Sequence, residues 1–443
     1  MQLADQVSEK AERGMTVQML TTKAEQAILK SFEDNAADLP GGKAVAELRR
    51  AAIGAFASKG LPSRRVEEFK YTDLKANVKD VLPLAVGYAS GLTGAGALSG
   101  HFAALAENAV SFVDGRGVTE NNGIEFLAGT LSDPPHWVEA VLADEALAAS
   151  ADLLLNTALF TDGAVIDILA GAEPADPIVI VTSAQDNMLT ALRHVIRVGK
   201  GAKVTIVEIE QAPLTSGPTQ SSALTQIEVA DGAEVAHIKV VEVGKGSLHL
   251  GHWQASLGAN ATYKPFQMTI GDGLVRNGLN VLFNGQHTTF DFAAASIVHG
   301  SGHADSTLVI DHKVPHCTSR ELFKTVLDAQ ARAVFQGKVI VRPDAQKSDG
   351  KQMAQALLLS PDTEFDSKPE LEIYADDVVC GHGSTAAEID SDLIFYCTSR
   401  GIPALVARAM LIESFIGEAI AKVEHDGLRE ALIILARESL TPA

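Results

Sequence analysis

The sequence predicts a mainly β protein, a β-solenoid core between helical N- and C-terminal regions. Short runs of β-branched and aliphatic residues follow one another from about residue 151, separated by Gly, Asn and Asp. A weak repeat of the form Gly-Ala-x-Val/Ala starts at residues 201, 232 and 258, and a similar Gly stands at 285. Hardly any helix signal interrupts these runs before residue 390, which excludes Rossmann and TIM-barrel folds. The near-regular period favours stacked coils, with a β-sandwich as the alternative.

Composition and charge narrow the class of protein. Of the 443 residues, 46% are hydrophobic and 21% charged, so the chain has ample material for a core and is not disordered. The formal net charge is −20. Nucleic acid and anionic membrane surfaces attract basic patches, so neither is expected as a partner.

Targeting and redox features are those of a cytoplasmic protein. No apolar run approaches the roughly 18 residues of a membrane helix, and residues 1–14 do not resemble a secretory signal. The three cysteines, Cys317, Cys380 and Cys397, form no CxxC pair and no disulfide framework. We therefore expect a reducing compartment, with the chain in the cytoplasm.

The N-terminal region, residues 1–150, is predicted to be mostly helical. Helix formers with apolar residues at three-to-four spacing predict helices over residues 21–34 and 43–57, separated by a Pro-Gly-Gly break. Residues 85–100 are small and Gly-rich and predict a loop, and residues 134–149 predict a further helix. The β core is then assigned to residues 151–388 and a C-terminal helical domain to 389–443.

The core contains six clear strand signals. They are residues 177–182, 204–209, 235–243, 279–283, 334–341 and 371–379.

The C-terminal region predicts three helices. Asp390 is a suitable N-cap, Gly401 fits the position after a helix, and Pro403 suits the first position of the next helix. The helix over residues 403–424 is apolar nearly all round, so it must be buried on more than one side, against its own chain or another protein. The residues assigned to partner docking are Pro403, Leu405, Met410, Ile412, Phe415 and Ile416.

Residues 368–383 contain the most informative polar pattern. If residues 371–382 form one continuous strand, alternate residues share a face, and Glu372, Cys380 and His382 fall on the polar, outward one. Cys380 and His382 are then about 7 Å apart. A thiolate and an imidazole suit iron, zinc or copper(I), but two ligands do not close a site. A β-bulge at Asp376–Asp377 would reverse this facing.

Two further groups of polar residues are ambiguous. His312, His316 and Cys317 lie close in sequence, but Pro315 argues against a shared helical face, and a loop with adventitious metal binding or a solvated turn fits equally. Arg276 and Asn277 follow a Gly-Asp-Gly turn and are interpreted as a polar surface pair.

Enzyme motifs are absent from the sequence. No phosphate-binding loop, GxGxxG, HExxH or GxSxG occurs, so the chain is not expected to bind or hydrolyse ATP by that machinery. This favours a non-catalytic scaffold. The alternative is a solenoid enzyme acting on carbohydrate, or a metal-dependent hydrolase. Such an enzyme needs a groove with clustered Asp, Lys or Arg, and Asp376–Asp377 has no evident basic partner.

These residues also resemble the SufB/SufD family of iron–sulphur cluster assembly proteins. The matching segments, in order, are residues 60–74 (GLPSRRVEEFKYTDL, with Phe69 where a Trp is usual), 155–163, 319–324, 334–337, 368–385 and 395–402. The Asp-Asp-Val-x-Cys-x-His-Gly form of residues 376–383 resembles the SufD branch more than the SufB branch.

The resemblance implies a fold and partners. The family fold is a right-handed parallel β-helix between helical regions. The resemblance implies a β-helix heterodimer with SufB and a SufC ATPase on the C-terminal helices, which would hydrolyse the ATP. A nascent cluster, or iron and sulphide, would be held transiently at the SufB–SufD interface, with the family histidine at His382 and Cys380 beside it.

Two questions stay open at this stage. The chain could be a purely structural partner of SufB, and it could form a homodimer when SufB is missing. Sequence does not decide whether iron, sulphide or a flavin binds the chain directly.

Overall fold

The structure is a computed structural model that describes residues 21–86, 101–103, 105, 109–119, 124–148, 150–184, 187–211 and 217–440. Residues 1–20 and most of the predicted loop at 85–100 lie outside the described residues. The two predicted N-terminal helices form as α1 (Lys23–Asn35) and α2 (Lys43–Lys59). A capping box at Thr22 and Glu25 begins α1, and Gly60, with a positive φ of 68°, ends α2.

Nineteen strands are found among the described residues. They are β1 (Ala109–Val113), β2 (Arg116–Thr119), β3 (Ile124–Phe126), β4 (Ala164–Ile168), β5 (Ile178–Ser183), β6 (Leu189–Val198), β7 (Lys203–Glu210), β8 (Gln220–Val229), β9 (Glu234–Val243), β10 (Leu248–Leu257), β11 (Thr262–Gly271), β12 (Leu274–Phe283), β13 (Thr289–Val298), β14 (His303–His312), β15 (Thr318–Leu327), β16 (Arg332–Val341), β17 (Asp349–Leu358), β18 (Glu364–Ile373) and β19 (Val379–Ala387).

The strands alternate between two sheets, which makes the core a parallel β-solenoid of about seven turns. From β4 to β19, even-numbered strands pair in parallel with even-numbered neighbours and odd-numbered strands with odd-numbered ones. We call these the even sheet and the odd sheet. The predicted solenoid is therefore confirmed and the β-sandwich alternative is wrong, because a sandwich would pair its strands mostly antiparallel.

The repeat seen in the sequence marks the turns from the even sheet to the odd sheet. Gly201, Gly232, Asn260, His287 and His316 occupy equivalent turns of successive coils, and each has a positive φ between 54° and 69°. Gly adopts this backbone conformation without strain, and Asn adopts it more readily than most residues. The turn geometry therefore accounts for Gly201, Gly232 and Asn260, and His287 and His316 adopt the same backbone conformation in later coils.

The space between the sheets holds the main hydrophobic core. Interior positions alternate along the strands, and aromatic side chains fill many of them in the middle coils. Trp253, Tyr263, Phe283, Phe290 and Phe292 are all buried there.

The N-terminal boundary of the β core differs from the predicted one in detail. Residues 151–159 form a buried helix (Ala151–Leu159) that packs on α2, because its leucines face both α2 and the even sheet. Strands β1 to β3 precede this helix in the chain. Strands β1 and β2 extend the odd sheet next to β5, and β3 extends the even sheet next to β4. The helix predicted over 134–149 is shorter, at His136–Leu142, followed by a 3₁₀ turn at Glu145–Ala148.

The segment with residues 60–74 crosses the outer face of the even sheet. Arg276 is buried there, not exposed as predicted: its guanidinium lies 4.0 Å from the Phe69 ring centroid and forms an ion pair with Asp305. Thr72 donates a hydrogen bond to the same carboxylate, and Lys368 pairs with Glu67. Asn277 faces the solenoid interior, so the two residues do not form a surface pair.

The C-terminal helices cover the outer face of the odd sheet. The three predicted helices form at Ser391–Thr398 (helix C1), Ala404–Ile420 (helix C2) and Asp426–Ser439 (helix C3). Asp390 caps C1 by accepting from the backbone N–H of Asp392. Ile412 and Ile416 of C2 pack on the sheet together with Leu432 of C3. The chain itself therefore covers one side of the apolar helix.

Candidate functional site

The solenoid ends in two strands that have one neighbour each. Within the described residues, β18 pairs with β16 alone and β19 with β17 alone. Each therefore presents one edge of unpaired backbone N–H and C=O groups. The same end carries exposed apolar side chains, among them Val379 at 61% and Tyr374 at 59%. Unpaired strand edges beside apolar side chains are suited to pairing with another chain.

The predicted single strand over residues 371–379 is wrong, and this changes the facing of the site. The chain leaves β18 at Ile373, turns, and enters β19 at Val379. The turn is tied to the preceding coil: Lys347 pairs with Asp377, and the N–H of Asp377 donates to Gln346 Oε1 at 2.9 Å. The buried methyl of Ala375 fits the core at this corner.

Across this turn the inward positions change from odd to even residue numbers. Phe365 and Leu371 of β18 pack against the core, whereas in β19 Cys380 stands in register with buried Gly350 and His382 with buried Gln352. Cys380 and His382 therefore face the interior and not outward as predicted. They lie on the same strand face, two residues apart.

Burial differs between the two candidate ligands. Cys380 is half-buried and packs against the core, and this burial raises the pKa of its thiol. His382 is exposed, because β19 is the last strand of its sheet and no coil of the described residues covers it. The pair thus lies at the mouth of the solenoid, where interior side chains meet solvent.

The pair remains an incomplete ligand set. No group of three or more His, Cys, Asp and Glu residues that could hold a metal ion is found in the part of the chain that the structure describes. A soft thiolate and an imidazole fit iron chemically. Further donors would have to come from another chain or from the cargo itself.

The second histidine group does not converge. His312 is buried inside the solenoid and stacks on Phe283, with ring centroids 4.3 Å apart. His316 lies exposed in the following turn and stacks on His287 of the adjacent coil at 4.9 Å. Cys317 is buried and directed toward the Gly285 carbonyl. The three residues form no common site.

The residues predicted to dock a partner divide into two sets. Ile412 and Ile416 are buried against the odd sheet, and Phe415 is partly buried with Lys324 over its ring. Leu405 is 83% exposed and Met410 50%, and Pro403 is exposed as well. Helix C1, which contacts C2, adds exposed Leu393, Phe395 and Tyr396. We call Leu393, Phe395, Tyr396, Leu405, Val406 and Met410 the C1–C2 patch.

Sequence comparisons agree with this architecture. The profile described as "SUF system FeS cluster assembly, SufBD core domain" matches residues 180–415, which is more than half of the chain. The profile of the SufBD protein N-terminal region matches residues 22–81. The chain belongs to the SufBD family.

Curated SufBD relatives match most of the chain. The iron–sulphur cluster assembly protein SufD of Escherichia coli is 30% identical over 84% of this chain and 88% of its own length. A SufBD family protein of Synechocystis is 28% identical over 97% of both chains. The chain is therefore an iron–sulphur cluster assembly protein of the SUF system, homologous to SufD.

Two features were outside the reach of the sequence. Glu321 and Gln352 lie inside the solenoid next to the site, and only strand register identifies them as neighbours of His382. Among the described helices, none is long and apolar enough to cross a membrane.

Proposed function

We propose that this SufBD protein is a non-catalytic scaffold subunit that pairs with SufB and binds the SufC ATPase, and that a nascent cluster forms where it meets SufB. One observation carries the proposal. Cys380 and His382 face inward at the end of the solenoid where both terminal strands have a free edge. A ligand pair beside a pairing edge is suited to completion by a second chain.

Pairing with SufB would use the free edges of β18 and β19. Parallel or antiparallel addition of a strand would satisfy the unpaired backbone groups and bury Val379 and Tyr374. The cargo is iron and sulphide, held transiently by Cys380 and His382 together with donors from SufB. A homodimer through the same edges remains the expectation when SufB is missing.

Docking of SufC would use the C1–C2 patch. Its six residues are exposed and apolar, and they lie on helices C1 and C2, which contact each other. Pro403, Leu405 and Met410 are the predicted contacts that stay accessible, whereas Ile412 and Ile416 stabilise the fold. SufC would hydrolyse the ATP, and its closure would shift the two scaffold chains against each other.

The test is co-expression of this chain with its SufB and SufC counterparts, followed by anaerobic purification on a tag carried by this chain. We expect a complex that contains iron and acid-labile sulphide. His382→Ala should keep the complex and lose most of the iron, because it removes a ligand side chain and leaves the backbone N–H and C=O groups of the β19 edge unchanged. Lys351→Ala, a change on the outward face of the neighbouring strand β17, is the matched control and should behave as wild type.

Two results would contradict the proposal. If SufB and SufC do not co-purify with this chain, the scaffold function fails. If His382→Ala assembles clusters at the wild-type level, the chain is a purely structural partner of SufB. A carbohydrate-acting enzyme gains no support from the SufBD relatives.

A further inference from the structure

Buried polar side chains lie inside the solenoid next to Cys380 and His382. We call Glu321, Gln352, Ser319 and Ser367 the polar floor. Glu321 of β15 stands in register with Gln352 of β17, and Gln352 stands in register with His382 of β19. Glu321 and Gln352 are each 2% exposed. Three successive coils therefore place a hydrogen-bonding side chain at the same interior position, ending at the candidate ligand.

Most polar atoms of this floor lack well-aligned hydrogen-bond partners among the described residues. Neither end of the Gln352 amide has a partner, and the Glu321 carboxylate has only the nearby Ser319 hydroxyl, in poor hydrogen-bond geometry. The hydroxyls of Ser319 and Ser367, on neighbouring inward positions, also lack well-aligned partners there. Buried polar groups are nearly always hydrogen-bonded, so these groups require a small hydrogen-bonding guest.

Aromatic rings close the floor on its inner side. Phe292 is the residue in register with Glu321 on the preceding coil. The Phe323 ring contacts Phe292 at 5.2 Å and Phe335 at 4.6 Å between centroids. A polar guest would not cross this layer, so its route to the floor is from the open end, past Cys380 and His382.

Two glycines allow the polar side chains of the floor to approach the candidate ligands closely. A Cβ on Gly337 would lie 2.9 Å from Gln352 Oε1, so the amide reaches across to the opposite sheet because residue 337 has no side chain. A Cβ on Gly350 would lie 3.6 Å from Cys380 Sγ and 3.3 Å from Ser319 Oγ. Gly350 therefore lies between the Cys380 thiol and the Ser319 hydroxyl.

We propose that Glu321 and Gln352 are positioning residues of the assembly site: they bind water that enters from the open end, and this water orients the imidazole of His382 toward incoming iron. The inference rests on the proposed function. Water suits the floor because an amide and two hydroxyls both donate and accept hydrogen bonds. Burial raises the pKa of Glu321 to about 8, so its carboxyl group is also mostly neutral at pH 7 and does both.

The test compares Glu321→Leu, Gln352→Leu and Glu321→Gln in the complex with SufB and SufC, purified anaerobically. Both leucine variants should keep or raise the midpoint of thermal unfolding, because each removes unpaired buried polar atoms. Their iron content should fall about tenfold, the lower end for losing a group that orients a ligand. Glu321→Gln keeps a hydrogen-bonding group and should retain most of the iron.

The controls separate this inference from the proposed function. Gln267→Leu makes the same change at a buried interior position three strands away in the odd sheet and should keep wild-type iron. If both leucine variants keep wild-type iron while His382→Ala loses it, the positioning role is wrong and the proposed function stands. If His382→Ala also keeps its iron, the assembly site itself is wrong. Should Glu321→Leu fail to fold, Gln352→Leu decides by the same criteria.

Discussion

His237 Nε2 lies 2.8 Å from Glu208 Oε1 in the sealed interior of the solenoid. The same oxygen accepts from Thr225 Oγ1 at 2.8 Å and from Trp253 Nε1 at 3.2 Å. Tyr263 completes the group through its hydroxyl, 3.0 Å from His237 Nδ1. Burial by itself would raise the pKa of Glu208, but the His237 hydrogen bond and nearby positive charge outweigh it and hold this pKa well below its ordinary value.

Glu208→Gln tests the stability of this carboxylate cluster. We expect the free energy of unfolding to fall by about 1–3 kcal/mol, because charge-assisted hydrogen bonds become neutral ones. Urea unfolding of the full chain measures it. The control is Glu234→Gln, whose carboxylate pairs with Lys203 on the surface at 3.2 Å and should change stability by less than about 1 kcal/mol. Equal effects of the two changes would contradict the prediction.

The depressed pKa of Glu208 also predicts an acid dependence. The folded pKa lies below the unfolded value of about 4.3, so the stabilising contribution is complete above that pH and is lost as the pH falls below it. Wild type should therefore lose stability between about pH 4.5 and 3 more steeply than Glu208→Gln. Parallel stability curves for the two proteins in that range would count against it.

The raised pKa of Glu321 predicts a pH dependence of stability that is opposite to that of Glu208. Its folded pKa of about 8 lies above the unfolded value, so the folded state binds more protons and stability falls as the pH rises from about 5 to 8. Glu321→Gln has no such group and should lose less stability over this range. The measurement is the urea midpoint of each protein at pH 5, 6.5 and 8. A wild-type midpoint that rises relative to the variant would refute the assignment.

Gly251→Ala should destabilise the interior, because three buried side-chain ends would have to move. A Cβ at residue 251 would lie 2.5 Å from His249 Nε2, 2.7 Å from Asn277 Oδ1 and 2.8 Å from Lys239 Nζ, and all three groups are buried. Overpacking of this kind costs about 1–3 kcal/mol. Gly54→Ala is the matched control, because nothing lies within 4 Å of its Cβ and an Ala inside a helix gains about 0.5–1 kcal/mol. Thermal unfolding should move in opposite directions for the two variants.

Substitutions on the two sides of helix C2 should affect protein stability and SufC binding separately. Ile416→Ala should lower the free energy of unfolding by about 2–5 kcal/mol, because a buried isoleucine leaves a cavity against the odd sheet. Leu405→Asp should change stability little, since Leu405 is 83% exposed, yet should reduce SufC retained on the tagged chain. Binding is measured by co-purification and stability by urea unfolding. Undiminished SufC with Leu405→Asp would move the docking surface elsewhere.

The segment across the even sheet depends on a buried ion pair. Asp305→Ala would leave the Arg276 guanidinium buried and unpaired, with an expected cost of about 3–5 kcal/mol. Limited proteolysis should then cut near residues 60–74 faster than in wild type. Asp167→Ala removes the partner of exposed Arg197 and is the comparison, with an expected cost below about 1 kcal/mol. Unchanged cleavage near residues 60–74 in Asp305→Ala would show that the pair does not hold this segment.

Much of the fold was predictable because its signals are local. Strand runs such as residues 235–243 and 334–341 fall inside β9 and β16, and the Gly repeat falls on the turns. Helix 151–159 was missed because its leucines also suit a strand, and its contact with α2 comes from a distant part of the chain.

The candidate site was predictable in identity but not in geometry. Cys380 and His382 are predicted as a ligand pair because a thiol and an imidazole two residues apart share one face of any strand. The family resemblance indicates the same two residues. Their facing depends on the turn at Asp377, which Lys347 and Gln346 hold from a different coil. No local pattern reports such a contact.

The sequence by itself determined the solenoid class, the helical ends and the SufBD segments, because alternation, caps and turn residues act over a few neighbours. Tertiary structure alone decided that Cys380 and His382 face inward, that Ile412 and Ile416 are covered by the odd sheet, and that Glu321 and Gln352 lie beneath His382. In a parallel solenoid, residues about thirty positions apart become direct neighbours, and their register follows from the accumulated lengths of strands and turns.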